Sequence, residues 1–188
     1  MQQRELIEFM GTLKKLKSNT RHVWMECGRR ESVAEHSWRL AVMAMMVADE
    51  FPGIDLLKVL KMCLIHDFGE AITGDIPSFL KTKQDEEKET IAIENMLEAL
   101  PENMVADFKA LFSEMDELKT TEAKLYKALD RIEAVVSHNE SPIETWLPNE
   151  YTDNIIYGIE NAEFSPYLKT LREMLIEDSI KKIEDYKR

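Results

Sequence analysis

The residues with the clearest chemical potential lie in one short stretch at the end of an apolar segment. His66 and Asp67 are adjacent, Glu70 follows one helical turn later, and Asp75 comes just after a Thr-Gly turn. Ionisable side chains are costly to bury unless they are paired or bind a metal ion. This stretch therefore predicts a site for a divalent cation.

Two residues from distant parts of the chain can complete such a site. His36 falls in the first turn of the second predicted helix, and Asp130 lies beside the apolar stripe of a long later helix, where we expect it to face inward. With His66 and Asp67 they provide two imidazoles and two carboxylates. Such a mixed set suits a divalent ion such as Mn, Co, Fe, Ni, Zn or Mg, and it leaves positions for water and substrate. An ion of this kind lowers the pKa of bound water and polarises a phosphoryl oxygen.

The elements that must position these residues are predicted to be helices. Apolar residues recur at spacings of three and four, which predicts helices over 5–17, 33–50, 55–67, 89–100, 102–115, 121–139, 150–161 and 167–185. Residues 18–30 have no such period and are predicted to form a loop with a binding role. No strand-like alternation of useful length is present, so the sequence predicts an all-α, multi-helix bundle.

Capping residues support the predicted helix limits. Ser32 and Glu35 have the spacing of a capping box, and Asp55 can cap the next helix. Pro101 ends the helix predicted over 89–100. The charged run at 81–89 is predicted to be a solvated loop and helix start. His138 is predicted to lie on the surface, because it is eight residues after Asp130 and off that face of the helix.

Length and composition restrict the partners. The 188 residues suit one domain, with a core at about 13–140 and C-terminal helices at about 149–188 packed on it. The net charge of -12 argues against nucleic acid or an anionic membrane as the main partner. Cys27 and Cys63 have no paired spacing, and we find neither a signal peptide nor a membrane-spanning stretch, so a cytoplasmic location is expected.

The order of the candidate ligands resembles a known family. His36, His66-Asp67 and Asp130 follow the H…HD…D pattern of the HD-domain metal-dependent phosphohydrolases, an all-helical superfamily. The segments RRESVAEH at 29–36, HDFGEAITGDIP at 66–77 and KALD at 127–130 are similar to the 5'-deoxynucleotidase branch, and the resemblance covers roughly 13–140. It implies an HD-domain bundle, these four metal ligands, a homodimer, and removal of phosphate from deoxynucleoside 5'-monophosphates.

The resemblance also implies roles for residues around the metal. Glu70 is the candidate base or water-orienting group, and Asp75 is the candidate for orienting that water or protonating the leaving 5'-oxygen. The family's phosphate-binding arginine corresponds to Arg21, whose guanidinium suits a phosphate. Where the family has a tryptophan that packs on the sugar, this chain has His22. Either Trp24 takes over that role, or the enzyme accepts ribonucleotides or other small phosphate esters.

Other functions remain open at the level of sequence. An HD hydrolase could act on a nucleoside triphosphate, an alarmone or a cyclic nucleotide, although Gly69-Glu70 offers only one acid after the HD pair, which counts against an alarmone. A metal-stabilised nucleotide sensor without turnover is an alternative from a different class. Arg29, Arg30 and Arg39 are expected to pair with surplus acidic residues.

Overall fold

The computed structural model describes residues 1–188 and confirms the all-α class, with ten α-helices and one short two-stranded ribbon. The helices are α1 (Gln3–Leu13), α2 (Val33–Val47), α3 (Leu56–Ile65), α4 (Glu70–Thr73), α5 (Lys83–Leu97), α6 (Glu102–Glu117), α7 (Thr121–Glu140), α8 (Glu150–Ile156), α9 (Ile159–Ala162) and α10 (Pro166–Tyr186). The strands are β1 (Thr20–Trp24) and β2 (Arg30–Ser32), which pair antiparallel. None of the helices has both the length and the apolar character required to cross a membrane.

Helices α2, α3 and α7 pack against one another and form the centre of the core. Their fully buried side chains include Leu40, Met62 and Leu129. Removing apolar surface from water is the main favourable term in folding, so these three helices are held firmly together. The candidate ligands lie on these same helices or at their ends, and the core therefore determines the shape of the site.

The predicted caps define the helix starts next to the site. The amide of Glu35 donates to Ser32 Oγ over 3.3 Å, and the amide of Ser32 donates to Glu35 Oε2 over 2.8 Å, as a capping box requires. Asp55 Oδ1 accepts from the amide of Lys58 over 3.1 Å and caps α3. Because α3 ends at Ile65, His66 lies at the helix C-terminus.

The prediction of a loop throughout 18–30 was wrong, since β1 and β2 form a ribbon there. The turn between the strands is closed by the amide of Met25, which donates to the carbonyl of Arg29 over 2.8 Å, and Gly28 has a φ of 81°. Strands this short are stabilised by their partner, and five and three residues are too few to show a period in the sequence.

The helix predicted over 150–161 is divided into α8 and α9 by Gly158. This residue has a φ of 74°, a left-handed conformation that favours glycine. A Cβ built there would lie 2.4 Å from Cβ of Arg131, so α7 also approaches too closely for any other residue. The first helix likewise ends early, because residues 14–17 continue as a 3-10 turn.

Helix α10 covers α7 and α8. Asn139 Nδ2 donates to the carbonyl of Leu175 over 3.2 Å, and Ser179 Oγ donates to Asn139 Oδ1 over 2.7 Å. The buried guanidinium of Arg172 donates to the carbonyl of Asn154 over 2.7 Å and satisfies the end of α8. The C-terminal helices thus hold α8 in place against the long helix.

Candidate metal centre and active site

The structure brings the four candidate ligands together. His36 Nε2 lies 3.2 Å from His66 Nε2 and 3.3 Å from Asp130 Oδ1. Asp67 Oδ2 lies 3.0 Å from His66 Nε2 and 4.0 Å from His36 Nε2, and Asp130 Oδ1 lies 3.8 Å from His66 Nε2. Donor atoms about 2.1 Å from a common ion lie about 3 to 4 Å apart, so the mutually close atoms of His36, His66 and Asp67 fit one divalent cation, and Asp130 lies near both imidazoles as the fourth candidate.

The hydrogen bonds of the two imidazoles support the same assignment. His66 Nδ1 donates to the carbonyl of Cys63 over 2.9 Å, and His36 Nδ1 bonds to Glu133 Oε2. When both rings are neutral, each presents an unprotonated Nε2 to the other, which is unfavourable unless a proton or a metal cation lies between them. This pattern of outer partners is typical of metal-binding histidines.

The electrostatics of the site also favour a positive charge. Burial and Arg21 lower the pKa of His36, but hydrogen bonds to Asp130 and Glu133 outweigh them and raise it to about 9. Burial alone would raise the pKa of Asp67, yet His66 and His36 lower it to about 2. The carboxylates are therefore ionised at neutral pH, as metal ligands must be.

Sequence reasoning missed Glu133, the most buried acidic residue of the site. It is completely inaccessible and lies three residues after Asp130 on α7. Its Oε2 accepts from His36 Nδ1 and, over 3.1 Å, from Arg21 Nη1, and its Oε1 accepts from Ser137 Oγ over 2.7 Å. A glutamate within the otherwise apolar stretch at 132–136 was the signal that could have identified it.

Arg21 lies beside the metal centre and lines its cavity, but its charge is shared. Its Nη1 donates to Glu31 Oε2 over 2.8 Å as well as to Glu133 Oε2. Burial alone would lower the pKa of Arg21, but Glu133 and Glu31 raise it further, so the guanidinium is permanently charged. Glu31 is a second residue that sequence reasoning did not single out.

The structure places Glu70 and Asp75 at the same cavity as the ligands. Glu70 is only 6% exposed and its Oε2 has no hydrogen-bond partner. Burial, Asp67 and Asp75 raise the pKa of Glu70 to about 10, and burial also raises the pKa of Asp75. Carboxyl oxygens of Asp67, Glu70 and Glu89 lie within 4.8 Å of one another, so this side of the site is crowded with acidic groups, and the crowding favours a protonated Glu70.

Lys81 partly balances these acids. The charged run at 81–89 was predicted to be solvated, but the side chain of Lys81 is half-buried, contacts Glu89 and lines the cavity. No other lysine forms a salt bridge with Asp67, Glu70 or Glu89. The remainder of the run is mostly exposed, as expected.

The candidate ligands open onto one large cavity of about 1270 Å³. The metal centre, Arg21 and Glu70 lie in its lining, together with residues 75–79 after α4. A space of this size accommodates a nucleotide-sized molecule.

The two candidate sugar-binding residues are placed differently. His22 lines the cavity, with its Nε2 buried and 3.5 Å from Glu150 Oε1. Trp24 does not line the cavity, because it lies at the far end of β1, where the guanidinium of Arg30 covers its ring at 5.4 Å. The expectation that Arg30 pairs with an acid was therefore wrong. Arg29 pairs with Glu35, as expected.

The expectation that His138 lies on the surface was also wrong. Only 17% of its side chain is exposed, because Trp146 and Glu150 cover that face of α7. Burial, Arg21 and His22 lower the pKa of His138 to about 4, so it is neutral at physiological pH. The residue also lines the cavity.

The chain is similar to known proteins both in sequence and in structure. A family model described as HD domain matches residues 13–172. The chain is 33% identical over 137 residues to 5'-deoxynucleotidase HDDC2 of Xenopus laevis, and the match covers 71% of this chain and 67% of that protein. It is 31% identical over 141 residues to the Homo sapiens protein of the same name, and that match covers 73% of this chain and 68% of the human protein. A crystal structure described as a predicted metal-dependent phosphohydrolase from Magnetospirillum magnetotacticum MS-1 superimposes with a TM-score of 0.81 at 27% identity, covering 95% of this chain and 93% of that one.

Proposed function

The chain belongs to the HD-domain family, and on that premise we propose that it is a metal-dependent phosphohydrolase that removes phosphate from nucleoside 5'-monophosphates, deoxynucleotides included. The observation that carries the proposal is the convergence of His36, His66, Asp67 and Asp130 at the wall of a cavity of nucleotide size. Relatives that are named 5'-deoxynucleotidases support the choice of substrate.

These four residues would hold the divalent ion. When bound, such an ion supplies Lewis-acid activation of water and of a phosphoryl oxygen. Glu133 keeps His36 in the tautomer that leaves Nε2 free, and the carbonyl of Cys63 does the same for His66. Several divalent ions accept this donor set, and the physiological metal depends on availability.

Glu70 and Asp75 are the proposed proton-handling residues. Glu70 has a raised pKa because it is buried beside other carboxylates, so it binds a proton readily. We assign it to orient the attacking water. It would accept that water's proton in its carboxylate form, which a divalent ion held by Asp67 would favour by lowering the pKa of Glu70. Asp75 follows α4 and lines the cavity, and we assign it to protonate the leaving 5'-oxygen.

Arg21 is the proposed phosphate-binding residue. Its guanidinium lies at the cavity wall, held by two glutamates, and cannot lose its charge. A fixed planar donor of this kind suits phosphate oxygens, and it provides positive charge in a protein whose net charge is -12. The resemblance further predicts a homodimer and the length of the chain predicts one domain, and both stay predictions.

The test is phosphate release from metal-stripped protein resupplied with Co, Mn, Zn or Mg in turn. We expect metal-dependent release from 5'-monophosphates but not from 3'-monophosphates or nucleoside triphosphates. Release from triphosphates alone would favour another HD substrate. An absence of release with every metal, from protein shown to bind its ion, would refute the proposal.

A single substitution separates an enzyme from a nucleotide sensor. Glu70→Gln keeps the size of a buried side chain but cannot accept the proton, so we expect kcat to fall by about 10² to 10⁴-fold while metal binding is retained. Glu87→Gln, at an exposed position on α5, is the matched control and should have normal activity. If Glu70→Gln changed neither turnover nor metal binding, its catalytic role would be rejected.

A further inference from the structure

The part of the cavity wall formed by α8 has polar atoms that the protein leaves unpaired. Glu150 is 3% exposed, and its Oε2 accepts from the amide of Leu147 over 2.6 Å. Its Oε1 has no hydrogen-bond partner, since His22 Nε2 at 3.5 Å and His138 Nε2 at 3.8 Å are outside ordinary hydrogen-bond range. A buried carboxylate oxygen rarely lacks a hydrogen-bond donor, so this one calls for a donor from a ligand or an ordered water.

Asn154 adds a donor to the same wall. It follows Glu150 by one helical turn, is 5% exposed, and its Nδ2 also has no partner. Five buried side-chain atoms lack a partner in this protein, and four of them belong to residues that line this cavity. This concentration indicates a surface prepared for a polar ligand.

The position of this wall relative to the metal centre suggests which part of a ligand it meets. His22 directly follows Arg21 in β1, and His138 lies eight residues beyond Asp130 on α7, about 12 Å along the helix axis. The Arg21–Glu133 pair connects the two sites, because Glu133 contacts His36 of the candidate metal centre and Arg21 directly precedes His22 in β1. A nucleotide with its phosphate at Arg21 would therefore bring its sugar next to His22 and Glu150.

We propose that Glu150, flanked by His22 and His138, binds the hydroxyl groups of the sugar, and that this chain accepts ribonucleoside 5'-monophosphates. This inference rests on the proposed phosphatase function. A carboxylate accepts hydrogen bonds only, and a sugar hydroxyl is the donor that it lacks here. A ribose offers hydroxyls at both the 2' and the 3' position, whereas a deoxyribose offers only the second.

The kinetic test compares adenosine 5'-monophosphate with its 2'-deoxy form, using metal-loaded wild type and Glu150→Gln. Glutamine keeps an oxygen for the Leu147 amide and replaces the free oxygen with a donor, so the fold is retained. We expect KM for the ribonucleotide to rise about tenfold and KM for the deoxynucleotide to change much less, with kcat nearly constant. Glu144→Gln, at an exposed position shortly before α8, should leave both unchanged.

A binding measurement removes the dependence on turnover. Calorimetric titration with adenosine and 2'-deoxyadenosine should show tighter binding of adenosine to the wild type, and Glu150→Gln should abolish the difference. His22→Ala is a second variant, on the ribbon rather than in the helical core, and should reduce the same preference.

The outcomes separate this inference from the proposed function. No phosphate release from either nucleotide would refute the proposed function, while the nucleoside titrations still decide the role of Glu150. Phosphate release with an unchanged ribo-to-deoxy ratio in Glu150→Gln would overturn only the inference. Equal binding of the two nucleosides by the wild type would overturn it as well.

Discussion

Replacing Glu133 with glutamine should weaken both the metal site and the fold. The wild-type carboxylate accepts from His36 and Arg21 through one oxygen and from Ser137 through the other. Glutamine keeps the volume and can still accept from Ser137, but the negative charge beside Arg21 and His36 is lost. We therefore expect effects on the candidate ligand His36 and on Arg21, the proposed phosphate-binding residue, from a residue that is not itself a candidate ligand.

The magnitude follows from two independent arguments. Burial alone would raise the pKa of Glu133, but His36 and Arg21 lower it from 4.5 to about 2. That shift corresponds to about 3 kcal/mol of folding free energy at neutral pH. Removing one partner of a buried ion pair typically costs about 3 to 5 kcal/mol, in agreement. Loss of an outer partner of a ligand typically lowers metal affinity about 10 to 100-fold.

The assays are urea unfolding of metal-free protein and calorimetric titration with Mn or Co. Glu140→Gln is the matched control, because Glu140 lies on the same helix and pairs with Arg39 at the surface, 57% exposed. An exposed pair of this kind contributes less than about 1 kcal/mol. Since the pKa of Glu133 is lowered, its contribution is complete above pH 4.5 and is lost as the pH falls towards 2. Equal effects of the two substitutions, or unchanged metal affinity in Glu133→Gln, would refute the reasoning.

Two further predictions concern the C-terminal half. The pKa of His138 is about 6.5 in the unfolded state but about 4 in the folded protein. As the pH falls, the unfolded state therefore binds the proton first, and the free energy of unfolding should decrease by about 2 to 3 kcal/mol between pH 6.5 and 4. Stability curves of His138→Gln should lack that decline, and an unchanged slope would contradict the assignment. Gly158→Ala should lower the free energy of unfolding by about 3 kcal/mol, because it combines a positive φ with a steric clash against α7. The control Gly53→Ala has a φ of 83° and open space around it, and should lower the same free energy by only about 1 kcal/mol in thermal unfolding. Equal losses in the two alanine variants would show that the clash is relieved at no cost.

The candidate metal ligands could be picked out from the sequence, because they are charged or polar residues at positions where an apolar helix would otherwise continue. His66 and Asp67 end an apolar helix, where uncompensated charge is unfavourable, and His36 follows a recognisable capping box. Helix starts also depend on side chains within four residues of one another, as at Ser32 and Asp55. Such signals are local, so the order and type of most helices could be predicted without any tertiary contact.

Several predictions failed where a distant partner decides the outcome. The ribbon at residues 20–32 exists because β1 has β2 to pair with, not because either segment has a strong period. His138 does lie off the Asp130 face of α7, as its spacing indicates, but Trp146 and Glu150 cover that second face. A helical pattern specifies which residues share a face and cannot specify what packs on it.

By itself, the sequence determined the all-helical class, the family and the four candidate ligands, since residue type and short-range spacing are enough for each. Only the tertiary structure decided which groups surround them. Glu133 meets Arg21 across 112 residues, and Glu150 reaches His22 from a segment with no recognisable motif. Burial, and with it the free energy of each charge, depends on the complete packed chain, and for that reason the partners of the ligands and the proposed sugar-binding wall became visible only in the fold.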